Sequence, residues 1–189
     1  MTATLSIEAI SIAVQTFLLI CAADLFSGVF HWAEDTWGTA HTPIWGPIFV
    51  RPNLIHHSEP GAMMRKHWLP NNGILFSFAA IIVGIAWLYD SLTWQLVVFA
   101  VAGGLSQQAH RFAHSPTVRL PPVIRILQRA HVLQDGWHHF KHHKWPHDCN
   151  YCTLTPWVNP VLGKIGFWRG LERLLIPLLG PVRVEAELH

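Results

Sequence analysis

Between His131 and Cys152 the chain reads HVLQDGWHHFKHHKWPHDCNYC, a stretch holding six of its fourteen histidines. Four of them form a double pair, His138-His139 and His142-His143. A buried imidazole needs a hydrogen-bond partner or a metal to offset its lost hydration, so ordinary cores do not accumulate them. A solvated histidine tract is at home at a terminus. This one is internal and interleaved with Trp137, Phe140, Trp145 and Tyr151, which need burial. The spacing His139-x-x-His142-His143 lets three imidazoles converge on one side of a helical turn. The stretch reads as part of a metal site whose other ligands lie elsewhere.

The rest of the chain is unusually apolar. Hydrophobic residues make up 51% of it and charged residues 13%, about half the roughly 25% of soluble domains. That balance points to a single membrane domain over residues 1–189. A net charge of +2 with no basic run argues against a nucleic-acid partner. Cys21, Cys149 and Cys152 are an odd number, which argues against a disulfide framework. Cys149-x-x-Cys152 could be a zinc half-site or a redox pair, but it has no second CxxC and lies beside richer imidazole ligands. The N-terminus lacks the basic region of a cleavable signal peptide.

Three stretches are long and apolar enough to cross a bilayer, which takes roughly 20 residues: about 7–30, 71–89 and 91–109, the last two joined by a tight turn at Asp90. The fold expected is all-α, an integral membrane protein of about three to four transmembrane helices with a histidine-rich cap over residues 31–70 and 110–180. The first crossing delivers His31 and Asp35, which share a face if the helix continues; taken alone, Asp35 reads as an exposed helix-end carboxylate. The loop from Gly38 to Pro70 is broken by prolines and carries the adjacent pair His56-His57, whose rings point about 100° apart on a helix. One member of such a pair can serve one metal and its neighbour a second metal or the outer shell. The third crossing ends in SQQAHRFAH, with His110 and His114 one turn apart. Residues 123–133 and 165–179 read as amphipathic segments lying in the interface.

Charge placement tests this topology. All thirteen Lys and Arg residues, from Arg51 to Arg183, fall on one side of the three crossings, and the positive-inside rule makes that side cytoplasmic. Every candidate ligand lies there too. Eight to eleven candidate ligands, mostly imidazole with one carboxylate, exceed what one metal takes and indicate two ions, and no HExxH peptidase motif occurs. Imidazole suits iron, copper, zinc and nickel alike. Histidines at the cytoplasmic ends of membrane helices suit an iron pair that uses O2 against a lipid chain.

The segments DLFSGVFHWAEDTWG, IHHSEP, QAHRFAH, WHHFKHHKWPH, NYCTLTPWVNP and KIGFWRGLERL resemble the plasmanylethanolamine desaturase family, in order from Asp24 to Leu175. This Kua-like lipid desaturase family also holds plant plastid desaturases acting on phosphatidylglycerol. The resemblance implies a membrane-bound, non-haem di-iron desaturase. Its function would be to form the vinyl ether of a plasmalogen in the 1-O-alkyl chain of an ether phospholipid, with O2 and electrons from a separate donor such as cytochrome b5 or ferredoxin. Acyl-chain desaturation of a phosphatidylglycerol-like lipid, lipid hydroxylation on the same scaffold, and a haem or metal carrier are the alternatives. The metal ligands carried over are His31, Asp35, His56, His57, His110, His114, His139, His142 and His143. His138 and His147 are further ligands or outer-shell donors. The family carries an Arg-His-Asp run where this chain has Arg65-Lys66-His67, so His67 stays outside the set. Outer-shell candidates are Gln107, Asp135, Asp148 and Asn159, each of which also reads as a cap or turn residue. Trp32, Trp37, Trp137 and Trp145 are expected to wall a substrate channel or anchor at the interface.

Overall fold

The computed structural model describes residues 2–183, and among them every regular element is helical. Helix α1 spans Thr2–Thr36 and a π-helical turn at Gly46–Val50 leads directly into α2, Arg51–Ser58. A short α3, Ala62–Arg65, precedes the hairpin of α4, Trp68–Leu88, and α5, Trp94–His114. Then come α6, Pro122–Arg129, α7, Gly136–Phe140, α8, Val158–Lys164, and α9, Phe167–Leu179.

The first apolar segment was expected to end near Phe30, but α1 continues to Thr36. FHWAEDT contains no proline or glycine to stop it, and the chain turns only at Gly38, where φ is +81°. His31 and Asp35 therefore sit on one helical face rather than beyond the helix. The hairpin helices start at Trp68 and Trp94, and α5 runs on through His110 to His114. Thr93 caps α5 by accepting from the Leu96 amide.

Two of the described helices, Ser6–Thr36 and Trp68–Leu88, are long and apolar enough to cross a membrane. The third expected crossing, α5, is not among them. Its lower half carries Ser106, Gln107, Gln108 and His110, and its buried face is built of small residues: Ala100, Ala102, Gly104, Ser106, Ala109 and Ala113. Those small side chains let α1 and α4 pack closely on either side of α5, which is the central helix of the molecule. The outer faces of α1 and α4 expose Ile10, Leu18, Ile81 and Ile85. So much contiguous apolar surface is unsuited to water.

An extended segment from Tyr151 to Thr155 crosses the inner end of the bundle and is held by Asp24, which is fully buried on α1. Asp24 accepts from the amides of Leu154 (2.8 Å) and Thr155 (2.9 Å) and from the Thr155 hydroxyl (2.6 Å). The close approach needs Gly28, because a Cβ there would lie 2.5 Å from Cys152 Sγ. Around this strap Trp32, Tyr151, Cys152, Leu162 and Trp168 form one buried cluster. The last of the described residues is tied in as well. Arg183 donates to the carbonyls of Glu34, Asp35 and Gly38, and its amide donates to Thr36. It thereby caps the orphan carbonyls at the end of α1.

Candidate metal centre

Four helices deliver imidazoles to one place. From α1 come His31 and Asp35, from α2 His56 and His57, and from α5 His110 and His114. Helix α7 and the turn after it supply His139, His142 and His143. Asp135 caps α7 by accepting from the His138 amide, and Gly136 lies so close to the end of α5 that a Cβ would meet the Ala113 carbonyl at 2.8 Å. The cap and the glycine together seat His139 against His110.

The nine side chains fall into two groups, each with its ligand atoms mutually within 4.8 Å: His56, His110, His114, His139 and His143 in one, and His31, Asp35, His57 and His142 in the other. In the first, Nε2–Nε2 separations are 2.8 Å for His110–His139, 3.3 Å for His114–His110, and 3.1 Å for both His143–His139 and His143–His56. In the second, His142 and His57 approach to 3.1 Å, and Asp35 lies 3.5 Å from both and 3.7 Å from His31. One Nε2 has a single in-plane direction for a proton or lone pair, so it cannot bond two neighbours at once. Ligands at about 2.0–2.1 Å from one metal stand about 2.9 Å apart at right angles and about 3.4 Å apart in a tetrahedron. The nitrogen–nitrogen spacings of 2.8–3.3 Å lie close to this range, and the Asp35 oxygens, at 3.5–3.7 Å, stand slightly beyond it.

The polar atoms left over point the same way. His31 Nε2 and Asp35 Oδ2 are buried with no hydrogen-bond partner. On the outer side His31 Nδ1 donates to the Tyr151 carbonyl (3.0 Å) and His142 Nδ1 to the Cys149 carbonyl (2.8 Å). A carbonyl only accepts, so these bonds place the proton on Nδ1 and leave the Nε2 lone pair facing the cluster. Burial, reinforced by neighbouring imidazoles, pushes His139 and His142 well below the ordinary histidine value, and His114 down to about 4. These rings are neutral donors at physiological pH. Asn53 Nδ2 donates to Asp35 Oδ1 and sets that carboxylate. The donor set, eight imidazoles and one carboxylate in two groups, fits a pair of first-row transition ions.

The remaining expected residues lie elsewhere. His138 turns away from both groups and meets Asn159, which also grips both backbone polar atoms of Cys152. His147 stands 4.5 Å from His57 between ring centroids and falls outside the four-residue group. Asp135 is a helix cap, Asp148 pairs with Arg169, and Gln107 lines a cavity. Neither Cys149 nor Cys152 enters a metal group through sulfur; both are free thiols, and the motif contributes the Cys149 carbonyl instead. Trp32 is buried against Trp168, whereas Trp137 and Trp145 are exposed. Sequence reasoning passed over Asn53 and the two backbone carbonyls. A carbonyl carries no side-chain signature, and Asn53 had only its place in the histidine-bearing helix to single it out.

The groups open onto a cavity of about 350 Å³. His31, His56 and His110 line one end, and Phe26, Phe78, Ile82 and Phe99 line the part between α1, α4 and α5.

A family model described as a lipid desaturase domain matches residues 20–183. The chain belongs to the lipid desaturase family. It is 34% identical over 170 residues to plasmanylethanolamine desaturase 1 of Mus musculus, covering 84% of this chain and 62% of the mouse protein. It is 31% identical over 163 residues to plasmanylethanolamine desaturase of Myxococcus xanthus, covering 82% of this chain and 57% of that protein. Chloroplastic fatty acid desaturase 4 of Arabidopsis thaliana is 31% identical over 161 residues, 84% of this chain and half (50%) of the plant protein. The chain thus spans between half and about three fifths of these lipid desaturases. No solved structure matches it.

Proposed function

We propose that this lipid desaturase is a multi-pass membrane enzyme whose two histidine groups hold a di-iron centre on the cytoplasmic side. The observation carrying this reading is the cavity that joins His31, His56 and His110 to an apolar region between helices whose outer faces are also apolar. A single chain from the bilayer can lie in it with one C–C bond beside the metals. The overall reaction is oxidation of a –CH2–CH2– unit to –CH=CH–, with O2, two electrons and two protons consumed and two waters released. A bound iron pair supplies the O2 chemistry and accepts the electrons. The protein's own residues hold the nine donors, fix the tautomers of His31 and His142 through the Tyr151 and Cys149 carbonyls, orient Asp35 through Asn53, and exclude water around the chain.

The substrate proposed is the 1-O-alkyl chain of an ether phospholipid, giving a vinyl ether; the names of the mouse and bacterial relatives, plasmanylethanolamine desaturases, support this choice. An acyl chain is the second reading, favoured by the name of the plant relative. Electrons come from a separate one-electron carrier of the cytochrome b5 or ferredoxin type. The test is lipid analysis of cells that express the protein and are fed an alkyl-ether lipid, with Asp35→Ala as control. An acid-labile vinyl ether made only by the intact protein is the expected result. A new acyl double bond in its place would move the substrate to the second reading, and neither product in the presence of a working donor would sink the desaturase assignment.

A further inference from the structure

The apolar cavity does not end at the metal groups. Lys66, Pro70 and Asn71 also line it, at the start of α4. Lys66 is shared with a second, open cleft of about 570 Å³ bordered by Arg65, Lys66, His67, Arg111 and Arg119, with no acidic residue in its lining. Arg65 is paired with Glu59, but Lys66 and Arg119 have no partner among the described residues. Next to Lys66, Asn71 Nδ2 is buried without a hydrogen-bond partner. A buried amide donor left unmade costs about 1–3 kcal/mol, so such a group in a cavity wall awaits an acceptor. Trp68 and Leu69 are exposed at the start of a bilayer-length helix, where aromatic side chains sit at headgroup depth.

We infer that Lys66 and Asn71, where the apolar cavity meets the basic cleft, hold the phosphodiester of the substrate phospholipid. The inference rests on the lipid reading above and adds how the lipid is oriented. A chain anchored there passes His56 and His110 close to its glycerol end and runs on toward Phe78 and Ile82. The bond oxidised is then one near the headgroup, not one deep in the chain. Lys66 supplies charge, Asn71 supplies a directed donor, and Arg119 extends the cationic wall.

The test measures binding by the full chain in detergent, free of metal, by native mass spectrometry. The probes are an alkyl-acyl-glycerophosphoethanolamine, the matching alkyl-acyl-glycerol without phosphate, and inorganic phosphate. The phospholipid is expected to bind at least about tenfold tighter than the phosphate-free lipid. Lys66→Gln should weaken phospholipid binding about fivefold, as should removal of the Arg119 charge. Asn71→Leu should also weaken it without lowering thermal stability, since it removes an orphaned donor. Equal binding of the two lipids would overturn the site. So would unchanged phospholipid binding in the Lys66→Gln, Arg119→Gln double variant, including the case where that variant loses only its affinity for an acidic electron-transfer protein. Inorganic phosphate binding as tightly as phospholipid would mark a free-anion site and overturn the lipid placement. If the binding pattern holds while metal-loaded wild type makes no double bond, the phosphate site stands and the desaturase reading falls.

Discussion

His142 and His143 are neighbours in the chain, yet they face different metal groups. His142 Nε2 lies 3.1 Å from His57 Nε2, and His143 Nε2 lies 3.1 Å from that of His56. The pair His56-His57 is divided the same way, so two adjacent-histidine pairs tie the groups together like rungs. The rigid link explains how two polar groups can be held side by side in a small helical protein. It also separates their fates on mutation. His143→Ala should empty the all-histidine group and His142→Ala the group containing Asp35, each variant retaining about one of two metal ions by elemental analysis. Full metal content in either variant would contradict the assignment of that ligand.

Asp24 is expected to matter as much to stability as any ligand does to activity. Its carboxylate satisfies two backbone amides and one hydroxyl of the strap that carries Tyr151, whose carbonyl orients His31. Asp24→Ala leaves those donors buried and unpaired, at about 1–3 kcal/mol for each group. The variant should melt well below wild type in a detergent thermal-shift assay, and Asp24→Asn, which keeps an acceptor oxygen, should fall between. A wild-type melting curve for Asp24→Ala would show that the strap is held by other means.

This strap marks the boundary of what could be read from the residues. The helical class, the hairpin and the histidines at the helix ends and in the double pair were legible because periodicity and histidine spacing are local signals, whereas Asp35 read alone as an exposed helix-end carboxylate and joined the nine-residue set only through the family resemblance. Asp24 stood out as a charge inside an apolar run, but nothing local names Leu154 and Thr155, some 130 residues on, as its partners. His138 was open between a further ligand and an outer-shell donor, because no local signal shows that the cap at Asp135 sets the pitch of α7 and turns its ring toward Asn159. The extent of α1 was open for a different reason. Its last turn is polar, so apolarity marks only the crossing to about Phe30 and leaves the helix's continuation undecided, whereas the backbone stops only at Gly38.

Protonation of the imidazoles sets an acid limit. His114 is held at about 4 in the fold against an ordinary value of 6.5, and His139 and His142 are held lower than ordinary for the same reason, burial. Below 6.5 the unfolded chain therefore binds more protons than the folded one, so stability rises with pH across that window. The metal-free protein should lose stability steadily as pH falls from about 6.5 toward 4. Loaded protein should hold its melting temperature further into acid and then release metal as protons compete for the same lone pairs. Melting curves with and without chelator at several pH values check both limbs; a flat profile for the metal-free form would mean the rings are not buried as neutral donors.

Arg183 is the most distant residue predicted to act on the metals. Its guanidinium and amide bind the carbonyls of Glu34, Asp35, Thr36 and Gly38, the last turn of α1 and the residues just beyond it. Asp35 is the one carboxylate among the grouped donors, and its reach to His57 and His142 depends on that turn staying helical. Helix ends fray when their carbonyls lack partners. Arg183→Gln should therefore weaken metal binding in the group containing Asp35 by about tenfold, the range seen for outer-shell changes, while leaving the all-histidine group filled. Arg183→Lys keeps the charge but not the fork that spans three carbonyls, so it should restore only part of the loss. Competition with a chelator of known affinity reads both groups. Uniform loss from the two groups would instead point to general unfolding, and no loss would show that α1 holds its last turn unaided.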